Sequence, residues 1–143
     1  MAELVNSWEQ PIDTGEIPPS STKFDAIVVG GGPGGSSAAG YLAMAGKTVL
    51  LLEKGLWPRD KICGDAVGGK SLGHVKALGV KETLESTPHF RVTGIKFSSP
   101  KGKTVSVALP EEDVQRLEAG YSLPRMQFDH LLFDPAKPSL THV

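Results

Sequence analysis

The chain has 143 residues and a formal net charge of -1, which allows one domain with a modest core but is short for a complete doubly wound enzyme. Its 15 basic residues are dispersed, so the sequence predicts no nucleic-acid partner, and its longest apolar runs are only strand-length, so it predicts no transmembrane helix. The single cysteine, Cys63, allows no intrachain disulfide and needs no oxidising compartment.

The beginning of the chain is polar and contains Pro11, Pro18 and Pro19 without a sustained hydrophobic period. Residues 1–22 are therefore predicted to be a flexible leader. Four acidic residues precede the first lysine, which fits neither a secretory signal nor a transit peptide. We expect a cytoplasmic protein, with peripheral membrane contact left open.

The stretch from Phe24 to Glu53 predicts one βαβ unit. An apolar run at Ala26 to Val29 enters a glycine-rich turn, a segment of small residues follows, and a second apolar run from Thr48 to Leu52 ends on an acid. Because two strand patterns flank one helical pattern, the sequence indicates an α/β protein with parallel strands.

The turn of this unit has the G-x-G-x-x-G spacing of a dinucleotide-binding fold. Gly30 allows the tight turn, Gly32 has no side chain to keep a pyrophosphate off the backbone, and Gly35 lets the helix approach the sheet. Pro33 suits the first helical positions, and the amides behind it point at an anion. Glu53, about twenty residues on, can accept from a ribose hydroxyl. The alternative is a glycine-rich loop of another α/β protein.

A long loop, Lys54 to Gly69, follows the second strand and has no helical period. Long loops beside the carboxyl end of a strand are well placed to meet a ligand. Arg59 and Lys61 can neutralise a phosphate, Cys63 can lie against a ring, and Asp65 can accept a hydrogen bond. The alternative is a solvated loop with an inert cysteine.

A short amphipathic helical pattern covers Lys70 to Leu84, broken by Gly73 and Gly79. His74 lies on it without a second ligand at metal-binding spacing, and the other histidines are equally isolated. The sequence therefore predicts no metal site.

Two segments that alternate with period two, Arg91 to Phe97 and Lys103 to Leu109, predict a β-hairpin with Pro100, Lys101 and Gly102 in its turn. A two-stranded ribbon with one apolar face is not stable alone, so we expect it to extend a larger sheet or to lie over one.

The last predicted helix covers Tyr121 to Phe133, with Pro124 in its first turn and a solvated acidic connection at 111–113 before it. Arg125 is unusual there, because a cation in the first turn opposes the helix dipole unless an anion lies nearby. It is a candidate ligand for a pyrophosphate, and an exposed arginine is the alternative. Prolines follow the helix, so 134–143 is predicted to be an irregular tail.

Three stretches together resemble the geranylgeranyl reductase family of FAD-dependent oxidoreductases: GGGPGGSSAA, PRDKICGD and the later R-x-x-FD-x-x-L that begins at Arg125. This family belongs to a larger flavoprotein group that includes aromatic-ring hydroxylases and flavin halogenases. The P-x-x-K-x-C-G-D loop from Pro58 to Asp65 points to the reductases, whereas the glycine motif indicates only a dinucleotide. The resemblance runs from about Phe24 to Leu132.

The resemblance implies FAD, and not NAD, on a Rossmann-like βαβ core at residues 23–133 with an added β-hairpin, truncated relative to the family. The glycines would carry the pyrophosphate, Glu53 the adenosine ribose, the loop from Lys61 to Asp65 would lie by the flavin, and Arg125 would contact the phosphate or ribityl region. The candidate cofactor-binding residues are Gly30, Gly32, Pro33, Gly34, Gly35, Ser36, Glu53, Lys54, Arg59, Lys61, Cys63, Gly64, Asp65 and Arg125.

In this family, reduced flavin delivers a hydride to double bonds of a polyprenyl chain such as a geranylgeranyl group, and NAD(P)H or another donor supplies the electrons. Family members also carry a second half with a ribityl-binding motif and a substrate tunnel, so no catalytic residue is predicted here. The alternatives are a flavin monooxygenase or halogenase of the same group, a non-catalytic truncated FAD-binding fragment, and a nicotinamide-binding Rossmann protein.

Overall fold

The computed structural model describes residues 17–115, 120–133 and 140–142. Most of the predicted leader, 1–16, lies outside the described residues. In chain order the elements are β1 (Ala26–Val29), α1 (Pro33–Met44), β2 (Val49–Leu52), β3 (Ala66–Val67), α2 (Lys70–Ala77), α3 (Lys81–Ser86), β4 (Phe90–Arg91), β5 (Gly94–Ser98), β6 (Thr104–Ala108), α4 (Glu111–Gln115), β7 (Tyr121–Ser122), α5 (Arg125–Phe133) and β8 (Leu140–His142). The predicted α/β class is confirmed.

The elements fall into two compact units. The first unit contains the chain up to Cys63 and from Arg125 onwards, and the second runs from Gly64 to Pro124. Within the described part of the chain, none of the helices combines the length and the apolar character needed to cross a membrane.

The first unit is built on a parallel sheet in the order β1-β2-β8. Ala26 pairs with Val49 at the start of β1 and β2, and the helix α1 connects the two strands, which confirms the predicted βαβ unit. Adjacent parallel strands require such a crossover connection, because a tight turn can join only antiparallel strands. The carboxyl ends of β1 and β2 therefore lie together at one edge of the sheet.

The third strand of this sheet corrects the prediction of an irregular tail at 134–143 for residues 140–142. Residues 140–142 form β8 and pair in parallel with β2, with Leu140 opposite Val49. Prolines disfavour a continued helix, but they do not prevent the residues after them from pairing as an edge strand. Residues 134–139 and 143 lie outside the described residues.

The core of the first unit joins α1, β2, the loop after β2 and α5. Ala39, Val49, Leu51, Trp57 and Phe133 are all buried in one cluster. The rings of Trp57 and Phe133 stack with centroids 4.4 Å apart and an interplanar angle of 18°. Burying a large apolar side chain contributes about 1.5 to 3 kcal/mol, so this cluster fixes the loop and α5 against the sheet.

The second unit contains a small antiparallel sheet in the order β3-β7-β4, and its buried residues come from β3, β7, α2, α3 and the loops. Its central strand corrects one prediction: Tyr121 and Ser122 form β7, and the helix α5 begins only at Arg125, after Pro124.

The helical pattern predicted for 70–84 breaks at Gly79, where φ is 70°, whereas Gly73 lies within α2. The acidic segment is a short helix, α4, since acids stabilise a first turn.

The predicted hairpin is present as β5 and β6, although its first strand begins at Gly94 and not at Arg91. The expectation that it extends or covers a larger sheet is wrong for the described residues. β5 and β6 form a separate two-stranded sheet, and every residue of both strands is exposed.

Candidate functional site

The glycine-rich turn lies between the carboxyl end of β1 and the amino end of α1. Gly30 has a φ of 101°, which a residue with a side chain rarely adopts, and its amide donates to the Leu52 carbonyl at 2.7 Å. Gly32 is the N-cap of α1 and Pro33 is its first helical residue. The turn therefore presents the amino end of a helix, with its unpaired amides, next to the end of β2.

The glycines of this turn meet different surroundings. A side chain at Gly35 would overlap the carbonyl oxygen of Gly30, so α1 approaches the turn as closely as a glycine allows. A side chain at Gly32 would reach only the Nη2 atom of Arg59, at 3.4 Å. Gly32 is thus not required by packing between protein atoms, and the space over it is available to a ligand.

A cavity of about 1060 Å³ opens over this turn. It is lined by nine of the predicted site residues: Gly30, Gly32, Pro33, Gly34, Gly35, Glu53, Lys54, Arg59 and Lys61. Its size suits a large organic cofactor. The sequence motif and the loop after β2 are therefore brought together at one edge of the sheet.

Three other predicted residues of the first unit, Ser36, Cys63 and Arg125, do not line the cavity. Ser36 is buried, and its hydroxyl donates to the Gly31 carbonyl at 2.7 Å, which fixes the turn. Cys63 is an exposed free cysteine at the end of the first unit. Gly64 and Asp65 belong to the second unit, where the Asp65 carbonyl accepts from the Leu123 amide at 3.0 Å.

Glu53 is held at the end of β2 by two backbone amides. Its Oε2 atom accepts from the Gly31 amide at 2.7 Å, and its Oε1 atom accepts from the Gly55 amide at 2.8 Å. Burial alone would raise the pKa of Glu53, but these amides and the Arg59 guanidinium outweigh it and hold the pKa below its usual value. Glu53 is therefore ionised at neutral pH.

Arg59 lies between Glu53 and the aromatic core. Its Nη2 atom donates to Glu53 Oε2 at 3.2 Å, and its guanidinium lies 4.8 Å from the centre of the Trp57 ring. Its Nη1 atom lies 3.8 Å from Oδ2 of Asp129, on α5. The buried Nε atom has no hydrogen-bond partner in the described part of the chain.

Arg125 does have the nearby anion that a first-turn cation needs, and this anion is Asp129. Nε and Nη2 of Arg125 donate to the two carboxylate oxygens of Asp129 at 2.8 Å and 3.0 Å. The two residues lie one helical turn apart. The hydrogen bonds that Arg125 donates to Asp129 raise the pKa of Arg125, with a smaller contribution from Cys63. The arrangement stabilises the start of α5 and accounts for an arginine there without a ligand.

Sequence reasoning missed four residues that shape the site: Gly31, Trp57, Asp129 and Phe133. A side chain at Gly31 would overlap the Phe133 ring, so the turn and α5 pack directly on each other. The spacing of Arg125 and Asp129 was a usable signal, since residues four apart on a helix are neighbours. The stack of Trp57 on Phe133 had no local signal. Over residues 17–115, 120–133 and 140–142, no three His, Cys, Asp or Glu side chains cluster as metal ligands, and the absence of a metal stays a prediction.

Comparison with known proteins places this geometry among flavoproteins. A family model described as an FAD binding domain matches residues 23–137. A menaquinone reductase from Mycolicibacterium smegmatis is 31% identical over 109 residues, which are 76% of this chain and 25% of that protein. Digeranylgeranylglycerophospholipid reductase 1 from Methanothermobacter thermautotrophicus is 35% identical over 115 residues, 78% of this chain and 27% of that protein.

Among solved structures, the myxobacterial chondrochloren halogenase, a variant of the FAD-dependent halogenases, superposes with a TM-score of 0.67 and 30% sequence identity. The superposition covers 82% of this chain and 28% of that one. The chain thus spans about a quarter of the length of these two reductases, and only 16% of another curated relative that it matches.

Proposed function

The chain belongs to the FAD-binding domain family, and from this we propose that it is the FAD-binding part of an oxidoreductase that resembles the geranylgeranyl reductases. The observation that carries the proposal is the cavity over the turn from Gly30 to Gly35, with Glu53 on its wall. A ligand there meets a helix amino end and an acid at the end of the neighbouring strand, which is the arrangement that binds a dinucleotide.

The residues present fit FAD. The open space over Gly32 admits a pyrophosphate close to the backbone, where the amides at the start of α1 can donate to it. The Oε1 atom of Glu53 accepts from Gly55, and a carboxylate oxygen can accept a second hydrogen bond, here from a ribose hydroxyl. The buried Nε atom of Arg59 is a donor in need of an acceptor.

The charges of the cavity also favour an anionic ligand. Arg59 and Arg125 are matched inside the protein by Glu53 and Asp129. Lys54 and Lys61 line the cavity, are exposed, and form no ion pair with any residue that the structure describes. We propose that these two lysines neutralise the pyrophosphate.

For the reaction, we propose reduction of double bonds in an isoprenoid chain such as a geranylgeranyl group. NAD(P)H or another donor would reduce the bound FAD, the reduced flavin would supply a hydride to one carbon of the double bond, and a proton would add to the other carbon. The loop from Pro58 to Asp65 and the similarity to a digeranylgeranylglycerophospholipid reductase support this substrate class. The residues of this chain would bind and orient the cofactor, and we assign none of them to catalysis. An isoprenoid substrate also favours contact of the protein with a membrane surface.

A second candidate is a flavin-dependent halogenase or monooxygenase, favoured by the superposition on the chondrochloren halogenase. The loop ending in Cys63, Gly64 and Asp65 favours the reductase. Anaerobic loss of an alkene from an isoprenoid would support reduction, and oxygen-dependent hydroxylation or halogenation would support the second candidate. A third candidate is a fragment that binds FAD without catalysis, and turnover of neither kind would support it.

The first test is to purify the 143-residue chain, add FAD and follow the visible absorption of flavin through gel filtration. We expect flavin to elute with the protein, and Gly32→Ala to weaken FAD binding about tenfold or more, because a methyl group displaces the pyrophosphate from at least one charge-assisted hydrogen bond.

The matched control is Gly73→Ala, at a helical glycine of the second unit with no heavy atom within 4 Å of the added carbon. It should bind FAD as the parent protein does. Equal FAD affinity of Gly32→Ala and the parent protein, or retention of NAD in place of FAD, would contradict the proposal.

A further inference from the structure

Asp129 is a buried carboxylate that faces two arginines. Its side chain is 1% exposed, and it receives two hydrogen bonds from Arg125, on its own helix. The Nη1 atom of Arg59, in the loop after β2, approaches Asp129 Oδ2 to 3.8 Å. One hydrogen-bonded arginine is enough to pair this carboxylate, so the second arginine calls for an explanation.

The Arg59 guanidinium is shared between two carboxylates and makes a full pair with neither. A guanidinium prefers two parallel hydrogen bonds to one carboxylate. Arg59 instead makes one hydrogen bond of 3.2 Å to Glu53 and one longer ionic contact to Asp129, and its Nε atom has no partner within the described residues. The attraction of Asp129 opposes the closure of the guanidinium onto Glu53.

This sharing keeps one side of Glu53 available. Its Oε2 atom already accepts from the Gly31 amide and from Arg59, whereas Oε1 accepts from the Gly55 amide. Each carboxylate oxygen accepts about two hydrogen bonds, so one position on Oε1 remains for a ligand. A two-bond pair between Arg59 and Glu53 would fill that position and draw the guanidinium away from the space over Gly32.

We propose that Asp129 is a positioning residue of the cofactor site, because it holds the Arg59 guanidinium off a two-bond pair with Glu53. Glu53 then keeps an acceptor for a ribose hydroxyl, and Arg59 keeps donors for a phosphate. The inference rests on the proposed FAD site. Two contacts fix the arrangement: Arg125 holds the Asp129 carboxylate, and the Trp57 ring lies against the Arg59 guanidinium.

The test compares Asp129→Asn in two backgrounds, the parent protein and Arg59→Lys, by NMR titration of the Glu53 side chain. Asparagine removes the negative charge of Asp129 at nearly constant shape. Lysine keeps the positive charge of Arg59 but cannot form two parallel hydrogen bonds with one carboxylate. In the parent background Arg59 should close on Glu53 and lower the pKa of Glu53 further. In the Arg59→Lys background the effect of Asp129→Asn should be clearly smaller.

A direct effect of the Asp129 charge through space would give the same shift of the Glu53 pKa in both backgrounds, and this result would overturn the proposal. If far-UV circular dichroism shows that Asp129→Asn does not fold, Arg125→Gln gives the reciprocal test. Without Arg125, Asp129 should pair with Arg59 and draw its guanidinium away from Glu53. The pKa of Glu53 should therefore rise, and by more in the parent background than in the Arg59→Lys background.

FAD affinity gives a second readout with opposite signs for the two explanations. Asp129→Asn should weaken FAD binding about tenfold, the value of one hydrogen bond to a charged group, and should have little effect in the Arg59→Lys background. Tighter binding of FAD to Asp129→Asn, as expected from added positive charge alone, would overturn the proposal. If the parent chain binds no FAD, the proposed function fails, and the titration of Glu53 still decides whether Asp129 acts through Arg59.

Discussion

At the scale of single residues, the glycine turn separates two requirements that one motif combines. Gly35 has no room for a side chain, because an added carbon would overlap the Gly30 carbonyl, whereas Gly32 faces the cavity and the Arg59 side chain. Gly35 is required by packing within the protein, and Gly32 by the ligand that we propose. Substitutions at the two positions should therefore act on different quantities.

Gly35→Ala should lower the free energy of unfolding by about 3 kcal/mol, because α1 must move away from the turn to relieve the overlap. Urea unfolding of the protein without ligand measures this loss. The control Gly73→Ala, in α2, should instead raise stability by roughly 0.5 to 1 kcal/mol, as expected for alanine in a helix. An unfolding midpoint of Gly35→Ala equal to that of the parent protein would show that the helix does not depend on this contact.

Among the described residues of the second unit, Tyr121 is the one whose pKa changes most on folding. It is 1% exposed, and its hydroxyl donates to Glu85 Oε1 at 2.8 Å. Burial, followed by the Glu85 hydrogen bond and charge, raises the pKa of Tyr121 from 10.0 to about 12. The folded state thus keeps the phenol proton more tightly than the unfolded state does.

This difference predicts a specific loss of stability in alkaline solution. The contribution of Tyr121 is complete below pH 10 and is lost as the pH rises towards about 12, because the unfolded state releases the proton first. Tyr121→Phe should remove this pH dependence and cost about 1 kcal/mol at neutral pH. Urea unfolding across the alkaline range measures both effects. Tyr41→Phe, at the exposed tyrosine of α1, should keep the alkaline loss, and a parallel decline in Tyr121→Phe would contradict the assignment.

At the scale of elements, the hairpin of β5 and β6 presents one apolar face without a covering layer among the described residues. Ile95 lies opposite Val107 and Phe97 lies opposite Val105, so all four side chains share a face, and each is between 49% and 64% exposed. Exposed apolar patches of this kind favour association. We therefore expect this face of the hairpin to promote association between molecules.

Replacing Phe97 and Val105 together by threonine should reduce binding of the apolar dye ANS and reduce light scattering at high protein concentration. Threonine keeps the strand preference while it removes the apolar surface. Ser106→Thr, on the opposite face of β6, is the control and should change neither signal. Unchanged dye binding in the double variant would show that the hairpin face is not the apolar surface that binds ANS.

Elements with a long local pattern were predictable, and the shortest were not. Alternation over two strands was enough to predict the hairpin, and the glycine turn between two apolar runs was enough to predict β1, α1 and β2. The strands β3, β4 and β7 have two residues each, too few to show a period, so Tyr121 was predicted as part of a helix. Their pairing depends on contacts between distant parts of the chain.

At the scale of the whole molecule, the same limit applies to the candidate site. The residues that line the cavity come from one continuous stretch, Val29 to Lys61, and the sequence motif predicts most of them. The residues that support it from α5, Asp129 and Phe133, are far away in sequence and reach the turn only through folding. The cofactor class was thus accessible from the sequence, whereas the support of Arg59 was not.

The stack of Trp57 on Phe133 also has an optical consequence. Trp57 is 4% exposed, and its indole lies between the Phe133 ring and the Arg59 guanidinium. Arg59 also lines the cavity. Such a ring is a rigid emitter with a defined transition dipole, so resonance energy transfer to a bound isoalloxazine would quench it. The only other tryptophan, Trp8, lies outside the described residues, and Trp8→Phe leaves Trp57 as a single built-in reporter of cofactor occupancy.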